Sequence, residues 1–436
     1  MRRLAACVIG LSLLAQPAFA YVPEQTPQRN AEASVRRALS LPVADSSTPG
    51  IIVMRGGSIL VERNATTPLI PASLMKLITT TAAMLRLGPG HRFHTHVFAD
   101  RAGSSVGDLY LVGGGDPTLA TRTYRNRRFL PPPDDPFPIP VFSSGSPTVE
   151  QLAQRIARGG IRRIAGDLIA DETLFDANRT QPGWLGRYLR DDPDTGLLSA
   201  LVVDEGRASL DRRAISPSPP LAAGSALRAA LAARGIRVAG TVRLGMTPRR
   251  AVEVASVSSP PLSEIVGYIN RYSINFAAEL VLKGLGAAER GEGTTAAGVS
   301  VVHEVLDELL VPRDGLVMLD GSGLSRLDRA SPLTMAMLLQ RILDGTGPVW
   351  RTLRDTIPVA GGPGTLFTRL TGPPTGGNLR GKTGYLRGVR AMAGWVGAAD
   401  GVPLVYVGIF NDAPSAIALT GPLDLLGLFL ALYPYA

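Results

Sequence analysis

The chain has 436 residues, 45% of them hydrophobic and 19% charged, with a net charge of +9. That length predicts two or three domains, the apolar content is enough for folded cores, and no internal repeat is visible. The positive charge suits an acidic polymer as partner, but no basic helix or aromatic-basic strand motif favours nucleic acid.

The first twenty residues read as an export signal. Arg2 and Arg3 precede an apolar stretch from Leu4 to Leu14, and Ala18-Phe19-Ala20 has the small-x-small pattern of a cleavage site. Leu4-Ala5-Ala6-Cys7 resembles a lipobox but lies too near the start to leave room for an apolar region before it. Cleavage after Ala20 removes Cys7, the single cysteine, so the mature chain has no thiol chemistry, disulfide or cysteine-based metal site. A periplasmic or otherwise exported protein is expected, and a cell-wall polymer is then the acidic partner that fits.

Gly50 to Val53 and Ser58 to Glu62 read as strands around a Gly56-Gly57 turn. Ser73 to Leu87 reads as a helix, with an apolar stripe through Leu74, Leu77, Ile78, Met84 and Leu85 and a stop at Gly88-Pro89-Gly90. From 97 to 261 the pattern changes. Strand-like Asp108 to Val112, Gly166 to Ala170 and Arg237 to Leu244 alternate with helical Thr148 to Arg158 and Gly224 to Arg234. Pro131 to Pro147 holds seven prolines and reads as an irregular exposed loop. This region is expected to be an inserted domain held away from a core made of 21–96 and 262–436. Helices follow at Pro261 to Ile274, Phe276 to Leu285, Thr294 to Leu310 and Ser331 to Leu343. Two strands, Gly388 to Val396 and Pro403 to Phe410, flank a turn, and an apolar helix over Leu423 to Leu432 closes the chain. It is too short to span a bilayer.

Lysine usage directs attention to chemistry. Of the 45 basic residues only Lys76, Lys283 and Lys382 are lysines. A base must be able to lose its proton, which arginine does not do. Ser73 stands at the expected helix start and Lys76 one turn on, on the same face. A neutral amine there can take the serine proton, and the helix N-terminus offers N–H groups to an oxyanion. Ser273 and Asn275 can face one cleft from a turn between helices, the first to relay a proton and the second to hold a carbonyl. Lys382-Thr383-Gly384 precedes a strand-like run. Thr383 and Lys382 can bind a carboxylate, Gly384 lets a backbone approach, and Lys382 adds a charge that helps to lower the Lys76 pKa.

Other motifs have weaker claims. Gly376 to Thr383 matches a phosphate-binding loop in letters, but a Gly/Pro-rich stretch precedes it and strands follow, where a strand and a helix are required. His91, His94 and His96 lack an acidic or fourth partner at metal spacing, and His303-Glu304 lacks a second histidine. No cofactor is implied.

Ser-x-x-Lys, Ser-x-Asn and Lys-Thr-Gly in this order form the motif set of penicillin-binding proteins and β-lactamases. The chain resembles the D-alanyl-D-alanine carboxypeptidase/endopeptidase family, the class C low-molecular-mass penicillin-binding proteins. Leu111 to Leu119, Pro182-Gly183-Trp184, Ser199-Ala200-Leu201 and Asp320 to Arg326 carry the likeness further, and 200 residues between Ser73 and Ser273 leave room for an insert. Ile274 and Tyr385 depart from the family pattern, where Asp and Thr are expected. The resemblance implies an α/β transpeptidase-like core, an antiparallel sheet flanked by helices. It implies Ser73 as nucleophile and the Tyr385 N–H beside that of Ser73 in an oxyanion hole. It also makes Asp320 to Arg326 a turn bordering the cleft, with Ser322 no second nucleophile and Arg326 touching substrate. Asp171 would hold the free amino end of a diaminopimelate side chain, with Phe175 as a nearby aromatic.

The expected activity is D-Ala-D-Ala carboxypeptidase, with D,D-endopeptidase activity if the cleft is open at both ends. Peptidoglycan peptides and β-lactam antibiotics are the expected ligands. Peripheral membrane contact and oligomeric state stay open. A β-lactamase or esterase on the same fold predicts fast deacylation of penicillin, and a non-catalytic cell-wall binding protein would not need Ser73, Lys76 and Lys382 intact.

Overall fold

The computed structural model describes residues 27–40, 44, 46–130, 141–192, 194–208 and 214–434. The expected export segment and residues 131–140 of the proline-rich loop lie outside the described residues.

The expected hairpin forms from β1 (Thr48–Arg55) and β2 (Ser58–Arg63). Eight strands follow in the middle of the chain: β3 (His94–Ala99), β4 (Ser105–Val106), β5 (Leu109–Val112), β6 (Arg163–Ile164), β7 (Leu168–Asp171), β8 (Arg237–Val238), β9 (Val242–Leu244) and β10 (Val252–Ser258). The last three are β11 (Arg380–Leu386), β12 (Val389–Gly397) and β13 (Pro403–Asn411).

The main sheet has the order β11-β12-β13-β1-β2 and is antiparallel throughout. Alternation of side chains gives it two apolar faces. Ile52 and Met54 of β1 enter a core with the helices Met75–Leu87, Leu262–Tyr272, Asn275–Arg290, Thr295–Glu308, Pro332–Asp344 and Pro348–Thr356. Ile51 and Val53 face the other way, into a second core with the helices Pro27–Leu39 and Thr420–Leu432. The closing helix therefore buries Leu423, Leu426 and Leu430 against the sheet. No helix among the described residues is long and apolar enough to cross a membrane.

Residues 94–258 build the other two sheets, β10-β3-β5-β7-β9 and β4-β6-β8. The single strand expected over Arg237 to Leu244 is two strands, one in each sheet. At Gly240 between them the backbone passes so close to Asp167 and Gly166 that a Cβ would lie 2.3 Å from the Asp167 carboxylate. The expectation that this region is held away from the core is also corrected. Tyr124, Phe129, Phe142, Phe175, Leu198 and Val202 share one apolar core with Tyr268 and Phe276. Tyr124 and Tyr268 both donate to the buried Glu205 carboxylate at 2.6 Å. These large apolar groups need burial and find it on the helices after 262.

Candidate active site

Ser73 sits in a short 3-10 turn, Ala72–Leu74, that runs into the Met75–Leu87 helix. The helix forms because Leu74, Leu77, Ile78 and Met84 are buried core positions, and it ends at Gly88, whose φ of 82° suits glycine. The turn is tightly enclosed. Ala72 has a φ of 48°, unusual for a residue with a side chain. A Cβ on Gly323 would lie 1.8 Å from the Ala72 carbonyl. A Cβ on Gly384 would lie 3.0 Å from the Pro71 carbonyl. Gly384 thus makes room for the turn that carries Ser73, where the sequence suggested room for a substrate.

Lys76 is fully buried. Its Nζ donates to Ser73 Oγ at 2.8 Å, to Asn275 Oδ1 at 2.6 Å and to the Ser322 carbonyl at 2.7 Å. These are three acceptors for the three N–H groups of an ammonium. Burial pulls its pKa down to about 8, against the opposing pull of Asp320, Glu279, Asp192 and Asp194. Burial, and not the second lysine, is thus the main cause. Once the proton is lost, two N–H groups still match Asn275 and Ser322, and the lone pair faces Ser73.

The Leu262–Tyr272 helix stops at Ser273, which is left-handed at φ 63°. Ile274 buries its side chain in the core, which accounts for an apolar residue there, and Asn275 begins the next helix. Its amide is oriented by partners the sequence reading missed: Nδ2 donates to Asp192 Oδ2 at 2.6 Å and to Thr195 Oγ1 at 3.2 Å. Oδ1 is thereby left for Lys76.

Lys382, Thr383 and Gly384 lie inside β11, the edge strand, and do not precede it. Lys382 is buried, donating to Ser273 Oγ at 2.7 Å and to the Thr383 carbonyl at 2.8 Å. Burial first, and Lys76 second, hold its pKa well below the usual lysine value. The Gly381 N–H leaves the sheet edge to reach the Pro358 carbonyl at 2.9 Å. Alternation then puts the N–H groups of Thr383 and Tyr385 on that same open edge.

Behind Lys76 stand acids that the sequence reading also missed. Both oxygens of Glu279 accept from the Gly321 N–H at 3.0 Å. Asp320 accepts from the N–H groups of Ser322, Gly323 and Ser325 and from Trp184 Nε1. Burial pushes Glu279 up to about 8 and Asp328 up to about 10, with the Asp320 charge adding to both. An acid inside the apolar run Phe276 to Leu285 was the available signal for Glu279. Ser322 itself is buried and offers Lys76 its carbonyl.

A cleft of about 810 Å³ is lined by Ser73, Ser273, Asn275, Thr383 and Tyr385 together with Tyr188 and Asp192. Arg326 is not among its lining residues. It donates from Nη1 to the Arg387 carbonyl at 2.8 Å and so tethers the β11–β12 turn at the rim. Asp171 and Phe175 are outside the cleft. The Asp171 carboxylate is buried and taken up by the Thr173 N–H and hydroxyl and by the Thr247 N–H, at 2.6–3.0 Å. Phe175 is a core side chain packed where Gly115 and Gly293 leave space for its ring. Among the described residues no cluster of histidine, cysteine or acid groups fits a metal ion.

A serine in contact with a buried amine whose pKa burial lowers to about 8 is suited to acyl transfer, and the antiparallel sheet beside it, flanked by helices, is a transpeptidase-like α/β frame. The D-Ala-D-Ala carboxypeptidase 3 (S13) family matches residues 32–216 and 212–424, and the chain belongs to that family. It is similar to the D-alanyl-D-alanine carboxypeptidase of Actinomadura sp. (strain R39), 30% identical over 90% of this chain and 82% of that protein. Its fold is shared with penicillin binding protein 4 (dacB) of Haemophilus influenzae, with a TM-score of 0.74 at 21% identity over 90% of this chain and 97% of the other. The Bd0816 predatory endopeptidase of Bdellovibrio bacteriovorus has the same fold at a TM-score of 0.52 and 15% identity, over 86% and 90%.

Proposed function

We propose that Ser73 is the nucleophile with which this carboxypeptidase hydrolyses peptides ending in D-Ala-D-Ala. The observation that carries the reading is the contact between Lys76 Nζ and Ser73 Oγ in a site where burial brings the amine pKa to about 8. Neutral Lys76 takes the Ser73 proton as Oγ attacks the carbonyl of the penultimate D-Ala. The N–H groups of Ser73 and Tyr385 meet the oxyanion. A proton reaches the leaving amine through Ser273, which Lys382 holds in place, and free D-Ala departs. Water then attacks the ester, giving up a proton to the site, and Ser73 regains its own.

β-Lactams acylate the same serine, and the slow loss of that adduct separates this reading from a β-lactamase. Cross-links between D-Ala and diaminopimelate are a second substrate, since the leaving amine there also belongs to a D-centre bearing a carboxylate. The export pattern at residues 1–20 supports action outside the cytoplasm, on cell-wall peptides. A non-catalytic binding protein would not require a buried lysine held at three acceptors.

Release of D-Ala from a synthetic stem pentapeptide tests the reading. Wild type releases it, and Ser73→Ala folds but does not. Lys76→Arg keeps the charge but cannot accept the proton, so the rate falls by about 10³-fold or more. A Lys76→Arg rate within about tenfold of wild type, worth only about 1.4 kcal/mol, would remove Lys76 as the base.

A further inference from the structure

The cleft holds a cation that acyl transfer leaves unused. Arg390, near the start of β12, pairs across the ladder with Tyr385 of β11. Facing residues of an antiparallel pair project to the same side of the sheet. Arg390 therefore shares a side with Tyr385 and Thr383, and it lines the same cleft as Ser73. Its guanidinium carbon stands 5.5 Å from the centre of the Tyr385 ring. Stacking orients the flat group, and among the described residues no acceptor takes its N–H donors. Nε is buried without a hydrogen-bond partner, and among the described residues no carboxylate forms an ion pair with Arg390. The nearby Asp424 is engaged by Nε and Nη2 of Arg369. Thr365, also lining the cleft, has a buried hydroxyl without a partner.

A half-buried cation with no counter-ion is costly unless a ligand supplies one. Burial, with the charge of Arg369 beside it, pulls the Arg390 pKa below the usual arginine value, so an approaching anion is met by a group already partly desolvated. Lys382 is poorly placed to be that anion's partner. It is buried, projects to the opposite side of β11 from Thr383, and spends two donors on Ser273 and the Thr383 carbonyl.

We propose that Arg390 is the receptor for the carboxylate of the leaving residue, the free carboxylate next to the scissile amide nitrogen. The proposal rests on the reading of the chain as a hydrolase of peptides ending in D-Ala-D-Ala. Guanidinium and carboxylate are planar and make paired charge-assisted hydrogen bonds. Arg390 touches the substrate away from the reacting atoms, so it sets specificity for a free C-terminus and takes no part in proton transfer.

The test compares kcat/KM for one stem pentapeptide as the free acid and as its C-terminal carboxamide. For Arg390→Gln the acid loses about 10- to 100-fold, the scale of a lost hydrogen bond to a charged group, while the carboxamide stays within about threefold of wild type. Arg390→Lys recovers part of the preference. The Tm of Arg390→Gln equals or exceeds that of wild type, because an unpaired, half-buried charge is gone. Equal losses on both peptides, or an unchanged acid-to-amide preference, overturn the proposal while leaving the functional reading intact. No turnover of either peptide by wild type overturns the functional reading and the proposal with it.

Discussion

Asn275 Oδ1 lies 2.6 Å from Lys76 Nζ, and it points there because Asp192 holds the other end of the amide, also at 2.6 Å. The Lys76 amine is thus aimed from two sides, by a side-chain oxygen fixed from outside the motif and by the Ser322 carbonyl, 246 residues away in sequence. Its remaining direction is Ser73.

The first expectation concerns pH. With Lys76 as the proposed base, its reactive form is the neutral amine, which is favoured as pH rises. The rate of Ser73 acylation should climb with pH through an apparent pKa of about 8 and level off above it. Stopped-flow acylation by a chromogenic β-lactam between pH 6 and 10 measures this. A flat profile would mean that Lys76 is not the titrating base.

Asp192→Ala should act in two ways. The Asn275 amide loses its anchor, and the plateau rate falls about tenfold, as for a lost hydrogen bond to a charged group. The Asp192 charge also raises the Lys76 pKa. Its removal therefore moves the rising limb of the pH profile to lower pH. A lower plateau with an unmoved or upward-shifted limb contradicts this role.

Asp171→Ala should change stability and leave substrate choice alone. Burial works to raise the Asp171 pKa, but hydrogen bonds from Thr173 and Thr247 bring it below the usual carboxylate value. Losing them costs about 1–3 kcal/mol, visible in denaturant melts. The ratio of kcat/KM for peptides with diaminopimelate or alanine at the third position stays as in wild type. A selective loss on the diaminopimelate peptide would restore the specificity role that the family resemblance implies.

Much of this was legible in the sequence because the chemistry uses short spacings. Ser73 and Lys76 are one helical turn apart, so the contact follows from helix geometry. Helix and strand positions followed from hydrophobic period and from glycine stops such as Gly88. The rest depends on contacts distant in sequence. Nothing near Asn275 announces Asp192, and nothing near Lys76 announces Ser322. In the sequence Lys382 precedes the strand-like run because Gly381 and Gly384 weaken the strand pattern. Gly384 is needed for the close approach of the Ser73 turn and Gly381 for that of the Tyr406 hydroxyl, and tertiary packing overrides the local preference. Asp171 was assigned to the cleft by resemblance, but its own backbone neighbours satisfy it first.

The central claim is that one residue, Ser73, forms the acyl-enzyme. Incubation of the whole protein with benzylpenicillin, followed by intact-mass and peptide mass spectrometry, tests it most directly. The account predicts a single long-lived adduct of one penicillin mass on the peptide containing Ser73, absent in Ser73→Ala. An adduct on Ser273 or Ser322, or none on a folded wild-type protein, would contradict it.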